Sequence, residues 1–236
     1  MQIRVDQLNE LIEKLNIKGT DLELLNTALT HPSFNFEQNI EDAQDYERLE
    51  FLGDSVLRLV ISEYLFDLYP DYQEGKLTKI RSYLVSDEFL YKIALSLNLD
   101  KYLNIGPHEE KDGGRTKSSI LACAMEAILG AVYKSIGFEE AKKFLYGIYN
   151  DLDIDINEIL FIYNSKEILQ QYTQSDSKSL PEYILLSETG KAHDKTYEVC
   201  VVYKEKTLGK GIAKTKKEAE KIAAYNAIKE LKITQE

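Results

Sequence analysis

The sequence predicts an all-α domain followed by a small α+β domain of order α-β-β-β-α. Three observations carry this. Apolar residues recur with helical spacing over residues 1–150, and the pattern turns strand-like after residue 180. Charge divides unevenly: residues 164–236 hold 13 basic and 11 acidic side chains, which leaves 16 and 29 to the first 163. With 236 residues, 44% of them apolar, the chain can build one or two conventional cores. Residues 1–150 are therefore assigned to the helical domain, 151–163 to a linker, and 164–236 to the second domain.

Each element has its own warrant. Leu8, Leu11, Ile12 and Leu15 fall at i, i+3, i+4 and i+7, the stripe of an amphipathic helix. Thr20 or Asp21 caps a second helix carrying Leu22, Leu25, Ala28 and Leu29, and His31-Pro32 stops it. A long apolar segment runs from Tyr46 to Leu68 and ends at Tyr69-Pro70. Leu77 to Leu97 is helical again, and Gly106-Pro107 and Gly113-Gly114 bracket a loop. Ser118 to Ser135 is apolar on nearly every face, so it belongs at the centre of the domain, and Phe138 to Asn150 completes the set. Beyond the linker, Lys166 to Gln174 reads as a short helix. Pro181–Glu188, Thr196–Lys204 and Thr207–Lys214 read as strands. In the closing helix, Lys216 to Lys232, Ala219, Ala223, Ala224 and Ala227 form a small-residue face suited to close packing on a sheet.

Composition narrows the function. A formal net charge of −11 excludes a basic nucleic-acid-binding surface spread over the whole chain, although the second domain is mildly basic. Two cysteines, Cys123 and Cys200, make no disulfide framework and no CxxC zinc motif. The charged first residues do not resemble a signal peptide, and no run approaches the ~20 apolar residues of a membrane span. The expectation is a soluble cytoplasmic protein with no membrane partner.

The chemistry concentrates in Glu47-Arg48-Leu49-Glu50-Phe51-Leu52-Gly53-Asp54-Ser55-Val56-Leu57. On a helix Glu47, Glu50 and Asp54 share one face, where they repel one another, amid apolar neighbours that call for burial. A solvated acidic stripe is the ordinary explanation of such spacing. Glu126 weakens it, because it interrupts the most apolar helix of the chain, and a carboxylate there must be paired, protonated or bound to a cation. A hard divalent ion such as Mg2+ would satisfy both helices and activate water against a phosphodiester.

This segment resembles the signature of the ribonuclease III family. The resemblance extends to Ala28-Leu29-Thr30-His31-Pro32-Ser33, Glu74-Gly75, Gly106-Pro107, Gly113-Gly114 and Ser119-Ile120-Leu121-Ala122, and to a second domain like that family's double-stranded RNA-binding domain. It implies an all-α endonuclease domain that forms a homodimer and cuts duplex RNA with Mg2+, Mn2+ being a substitute, leaving 5′-phosphate and 3′-hydroxyl ends. The substrates implied are structured rRNA, mRNA and tRNA precursors. By position the resemblance assigns Asp54 and Glu126 as catalytic and Glu50, Asp54 and Glu126 as metal ligands, with Glu47 and Glu74 as auxiliary carboxylates. Phe51 would enter the partner subunit at the dimer interface; its ordinary role would be core. Cys123 stands where the family carries a fourth acidic ligand, and a thiol suits Mg2+ poorly. It marks either a tolerated outer position or a slow or inactive enzyme.

Duplex RNA is read by shape across ~16 bp, through minor-groove hydroxyls and intervening phosphates. Gln170 and Gln171 on the first helix of the second domain and His193 at a loop tip are the candidate groove contacts. Lys214, Lys216 and Lys217 are the candidate phosphate contacts, at a helix start whose N–H groups favour anions. Glu167 departs from the Thr usual in the family. The leading expectation is thus a Mg2+-dependent endoribonuclease. The alternative is a dimeric double-stranded RNA-binding regulator silenced by Cys123, and a metal-binding helical domain without an RNA role leaves the second domain unexplained.

Overall fold

Two helices organise the N-terminal part of the chain: α4 (Glu47–Leu68) and α8 (Ser118–Ile136). In this computed structural model, which describes residues 2–39, 43–177, 179–190 and 195–233, the chain divides into the units Met1–Ile154 and Asp155–Glu236. Helix α8 is buried almost all round, from Ile120 to Val132, and α4 buries Leu49, Gly53, Val56, Leu57, Val60, Ile61 and Leu65. The two helices meet backbone to backbone. A Cβ built on Gly53 would fall on the carbonyl oxygen of Glu126, and one built on Gly130 on that of Leu49. Only glycine permits this approach at either position. By length and composition α8 alone, among the described residues, would suit a membrane span, but its burial marks it as a core helix.

The remaining helices of this unit are α1 (Gln2–Leu15), α2 (Leu22–Ala28), α3 (Pro32–Glu37), α5 (Glu74–Leu84), α6 (Asp87–Ser96), α7 (Pro107–Lys111) and α9 (Phe138–Asn150). The expected stripe of α1 is its buried face. Asp21 is the residue that caps α2, accepting from the N–H groups of Glu23 and Leu24, while the Thr20 hydroxyl donates to the Ile17 carbonyl. Three expectations need correction. His31-Pro32 ends α2 but also opens α3, with Pro32 in its first turn and the His31 ring accepting from the Ser33 N–H. The stretch 77–97 is two helices, because the Ser86 hydroxyl accepts from the Phe89 N–H and starts α6 afresh. The loop bracketed by Gly106 and Gly114 contains the short helix α7.

The second unit starts earlier than the strand pattern suggested. Helix α10 spans Ile156–Ser177, so most of the expected linker 151–163 is helical. Asp155 accepts from the N–H groups of Asn157 and Glu158, and Ile159 and Leu160 are buried, which supplies both the cap and the apolar anchor. Strands β1 (Glu182–Thr189), β2 (Thr196–Tyr203) and β3 (Lys206–Ala213) form an antiparallel sheet with β2 at its centre. Lys204 and Glu205, both at positive φ (48° and 62°), make the tight β2–β3 turn. Helix α11 (Lys216–Glu230) closes the unit, and Leu169, Val201, Ala223, Ala224, Ala227 and Ile228 form its core. The small-residue face works as expected: Cβ atoms on Gly209 and Gly211 would strike the backbone of α11 at Ala223 and Ala219.

Forcing a methyl group between α4 and α8 should be costly. Gly130→Ala is expected to destabilise the protein by about 3 kcal/mol in chemical denaturation. Gly75→Ala, a site on α5 with open space around it, should leave stability unchanged or raise it by about 0.5 kcal/mol. Equal effects of the two substitutions would contradict the crossing.

Candidate active site

Glu47, Glu50, Phe51, Asp54, Ser55 and Arg58 fall at i, i+3, i+4, i+7, i+8 and i+11 and so share one side of α4. They line a pocket of about 510 Å³ together with Glu126 and Asp87. Between Ile120 and Val132 only Cys123 and Glu126 are not fully buried. Spaced i and i+3, they share the face of α8 that looks towards the α4 carboxylates. The Gly53–Gly130 contact is what brings Glu126 within reach of Glu50 and Asp54.

Five carboxylates and one guanidinium therefore line one pocket. The Arg58 Nε donates to both oxygens of Asp54, at 2.8 and 2.9 Å. Burial, followed by the charges of Asp54, Glu50 and Asp87, pushes the Glu126 carboxyl up to about 8, with Arg58 offsetting a part. Burial also raises Glu50, and the hydrogen bond with Cys123 works against that rise. The Cys123 thiol is raised by burial first, then by its bond to Glu50 and the neighbouring acids, so it is neutral at physiological pH. It sits against Glu50 and is not among the residues lining the pocket.

The donor set suits a hard divalent cation: oxygen ligands, excess negative charge, and a carboxyl that burial and its acidic neighbours keep protonated. The fit is one of chemistry and charge. Among the described residues no three His, Cys, Asp or Glu side chains converge closely enough to hold an ion as they stand, and Asp54 is turned to Arg58.

The sequence-predicted residues divide accordingly. Glu47, Glu50, Asp54 and Glu126 come together. Glu74 does not join them; it opens α5 in a separate cleft with Ser62, Phe66, Tyr72 and Arg81, and accepts from the Thr78 hydroxyl at 2.8 Å. Phe51 is not core: it is 79% exposed. Beside it lies a pocket of about 650 Å³ lined by Leu24, Leu49, Leu52, Thr27 and Lys134 among others. In the second unit Gln170 and Gln171 are exposed on α10, and Lys214, Lys216 and Lys217 are exposed at the start of α11. Lys216 lies 3.9 Å from Glu188 and over the Tyr197 ring. His193 lies outside the described residues. Sequence reasoning missed Arg58 and Asp87. The first was signalled by its i+4 spacing from Asp54; the second carries no spacing signal, since α6 meets the pocket only through the tertiary fold.

With an acidic pocket at a helix crossing and an α-β-β-β-α unit following in sequence, the chain belongs to the ribonuclease III family. Residues 21–152 match the Ribonuclease-III-like family and residues 165–231 the double-stranded RNA binding motif. The chain is 41% identical over 227 residues to Ribonuclease 3 of Listeria welshimeri, covering 96% of this chain and 99% of that one. It is 42% identical over 230 residues to Ribonuclease 3 of Borreliella burgdorferi, covering 96% and 92%. The crystal structure of the nuclease domain of ribonuclease III from Campylobacter jejuni matches with a TM-score of 0.56 and 42% identity, over 62% of this chain and 97% of that one.

The raised Glu126 has a consequence for stability in chelator. An unfolded Glu ionises near 4.3, so between that pH and about 8 the folded protein holds a proton that the unfolded chain releases. Unfolding free energy therefore falls as pH rises through this window, and the full loss is present above it. Glu126→Gln should match the parent near pH 4 and exceed it by on the order of 2 kcal/mol at pH 8.5. Parallel stability–pH curves for the two proteins would refute this.

Proposed function

We infer that the protein is an endoribonuclease that hydrolyses phosphodiester bonds of double-stranded RNA, and we propose that it does so as a Mg2+-dependent homodimer. The observation that carries this is the convergence of Glu50 and Asp54 from α4 and Glu126 from α8 on one pocket, in a chain that also holds an RNA-binding unit. Glu50, Asp54 and Glu126 are the residues that would hold Mg2+, and Mn2+ is the natural substitute. When bound, the metal supplies Lewis acidity and lowers the pKa of water for attack on phosphorus. Glu126 must give up its proton to serve as a ligand, and Asp54 must turn from Arg58. Arg58, thus released, would be free to meet the phosphodiester's negative charge. Ends bearing 5′-phosphate and 3′-hydroxyl, and rRNA, mRNA and tRNA precursors as substrates in the cytoplasm, belong to the same proposal.

The exposed Phe51 and the neighbouring apolar pocket support a dimer in which two copies exchange this side chain. A second solved form of the Campylobacter jejuni nuclease domain is described as flexible in a region involved in dimer formation. A two-fold pair would present one carboxylate pocket to each strand of a duplex.

On α11 the charge arrangement supports phosphate contact. Lysines in the first turn of a helix oppose the helix dipole, so Lys216 and Lys217 are poorly placed for the free protein and well placed for a bound anion. Thr215 caps the helix, its hydroxyl accepting from the Glu218 N–H.

The test is a labelled RNA duplex incubated with and without Mg2+. Cleavage should require the metal. Glu126→Ala should reduce it at least 100-fold while duplex affinity stays within twofold. The Lys216→Ala/Lys217→Ala pair should weaken binding and flatten the plot of log affinity against log salt by about one to two units. Binding without cleavage by the parent under every metal condition would favour the regulator instead.

A further inference from the structure

Asp87 is the pocket residue that the inferred mechanism leaves unused. It is the first residue of α6, where the Ser86 hydroxyl caps the helix and the buried Phe89, Leu90, Ile93 and Ala94 anchor it in the core. Its placement beside Glu50, Asp54 and Glu126 is therefore set by packing rather than by a mobile loop. An acid at a helix start has an ordinary explanation in the helix dipole. Glu88 already fills that role in the same turn, and it pairs with Lys92 at 2.8 Å. Asp87 instead faces the carboxylate pocket, where its charge adds to the repulsion felt by Glu50 and Glu126. On α8, the residue one turn before Glu126 is Cys123, whose neutral thiol contributes no charge to the pocket.

We propose that Asp87 is a metal-site carboxylate of this enzyme, supplied by a third helix, which strengthens the hold of Glu50, Asp54 and Glu126 on a divalent cation. This rests on the metal-dependent reading of the pocket above. Asp87 acts across the pocket on the cation and its water shell, and makes up in charge for the neutral side chain at position 123. In the absence of a divalent cation, its effect is repulsion.

The experiment is calorimetric titration of the full-length, RNA-free protein with Mn2+ and with Mg2+, alongside thermal unfolding in chelator. Asp87→Asn should weaken metal binding about fivefold, the order expected of one screened charge acting on a divalent ion. In chelator it should unfold at the same temperature as the parent or a higher one, whereas a helix-start role predicts a lower one. Asp87→Glu should restore most of the affinity, and Glu88→Gln should leave it within 1.5-fold. An Asp87→Asn protein that binds metal like the parent, while Glu126→Gln does not bind it, would overturn the proposal and leave the pocket's metal reading standing. Parental metal binding by Glu126→Gln would overturn both.

Discussion

The approach of α4 to α8 is the constraint on which the helical unit depends. Two glycines, Gly53 and Gly130, face each other's helix so closely that a methyl group on either would meet backbone carbonyl. That contact does two things at once. It lets the apolar faces of both helices bury fully, and it draws Glu126 towards Glu50 and Asp54. The first effect stabilises the unit through apolar burial. The second opposes it, because like charges are gathered in a half-buried pocket. Packing wins that contest, and burial, reinforced by the neighbouring acids, leaves Glu126 a carboxyl that retains its proton up to about pH 8. Core packing fixes the helices that carry these carboxylates, so that the proposed cation would require side-chain turns, such as that of Asp54 away from Arg58, and no movement of the helices.

The second unit uses the same device for another end. Gly209 and Gly211 on β3 admit the α11 backbone at Ala219 and Ala223, so the helix lies close on the sheet with little side-chain bulk between them. This fixes the first turn of α11 and its lysines relative to α10, where Gln170 and Gln171 are exposed. The groups proposed for groove and phosphate contact are thus held by rigid elements, an arrangement that would suit recognition of a duplex by shape.

Much of this was legible in the sequence, for physical reasons that differ by element. Helix α8 announces itself because complete burial demands apolar residues on every face, and Glu126 stands out as the exception. The alanine stripe of α11 likewise follows from close packing. The acidic signature on α4 needs only helical spacing to place three carboxylates together. What failed to show was tertiary or depended on single hydrogen bonds. Ser86 splits one apparent helix into two through one cap, and Asp155 turns part of an apparent linker into the start of α10. For Phe51 composition alone suggests core, whereas the family resemblance implies an interface residue; α4 presents it to solvent. Glu74 and Asp87 cannot be told apart as pocket residues by spacing, because only the packing of α5 and α6 decides that Asp87 enters the pocket and Glu74 does not.

The claim that the helix crossing creates a repulsive carboxylate pocket is tested most directly by titrating the Glu126 side chain itself. With the carboxyl carbon of Glu126 followed by carbon-13 NMR in chelator, the account predicts a midpoint near pH 8 that drops when Asp54 is replaced by Asn. A midpoint in the ordinary range near 4.3, insensitive to Asp54→Asn, would contradict it.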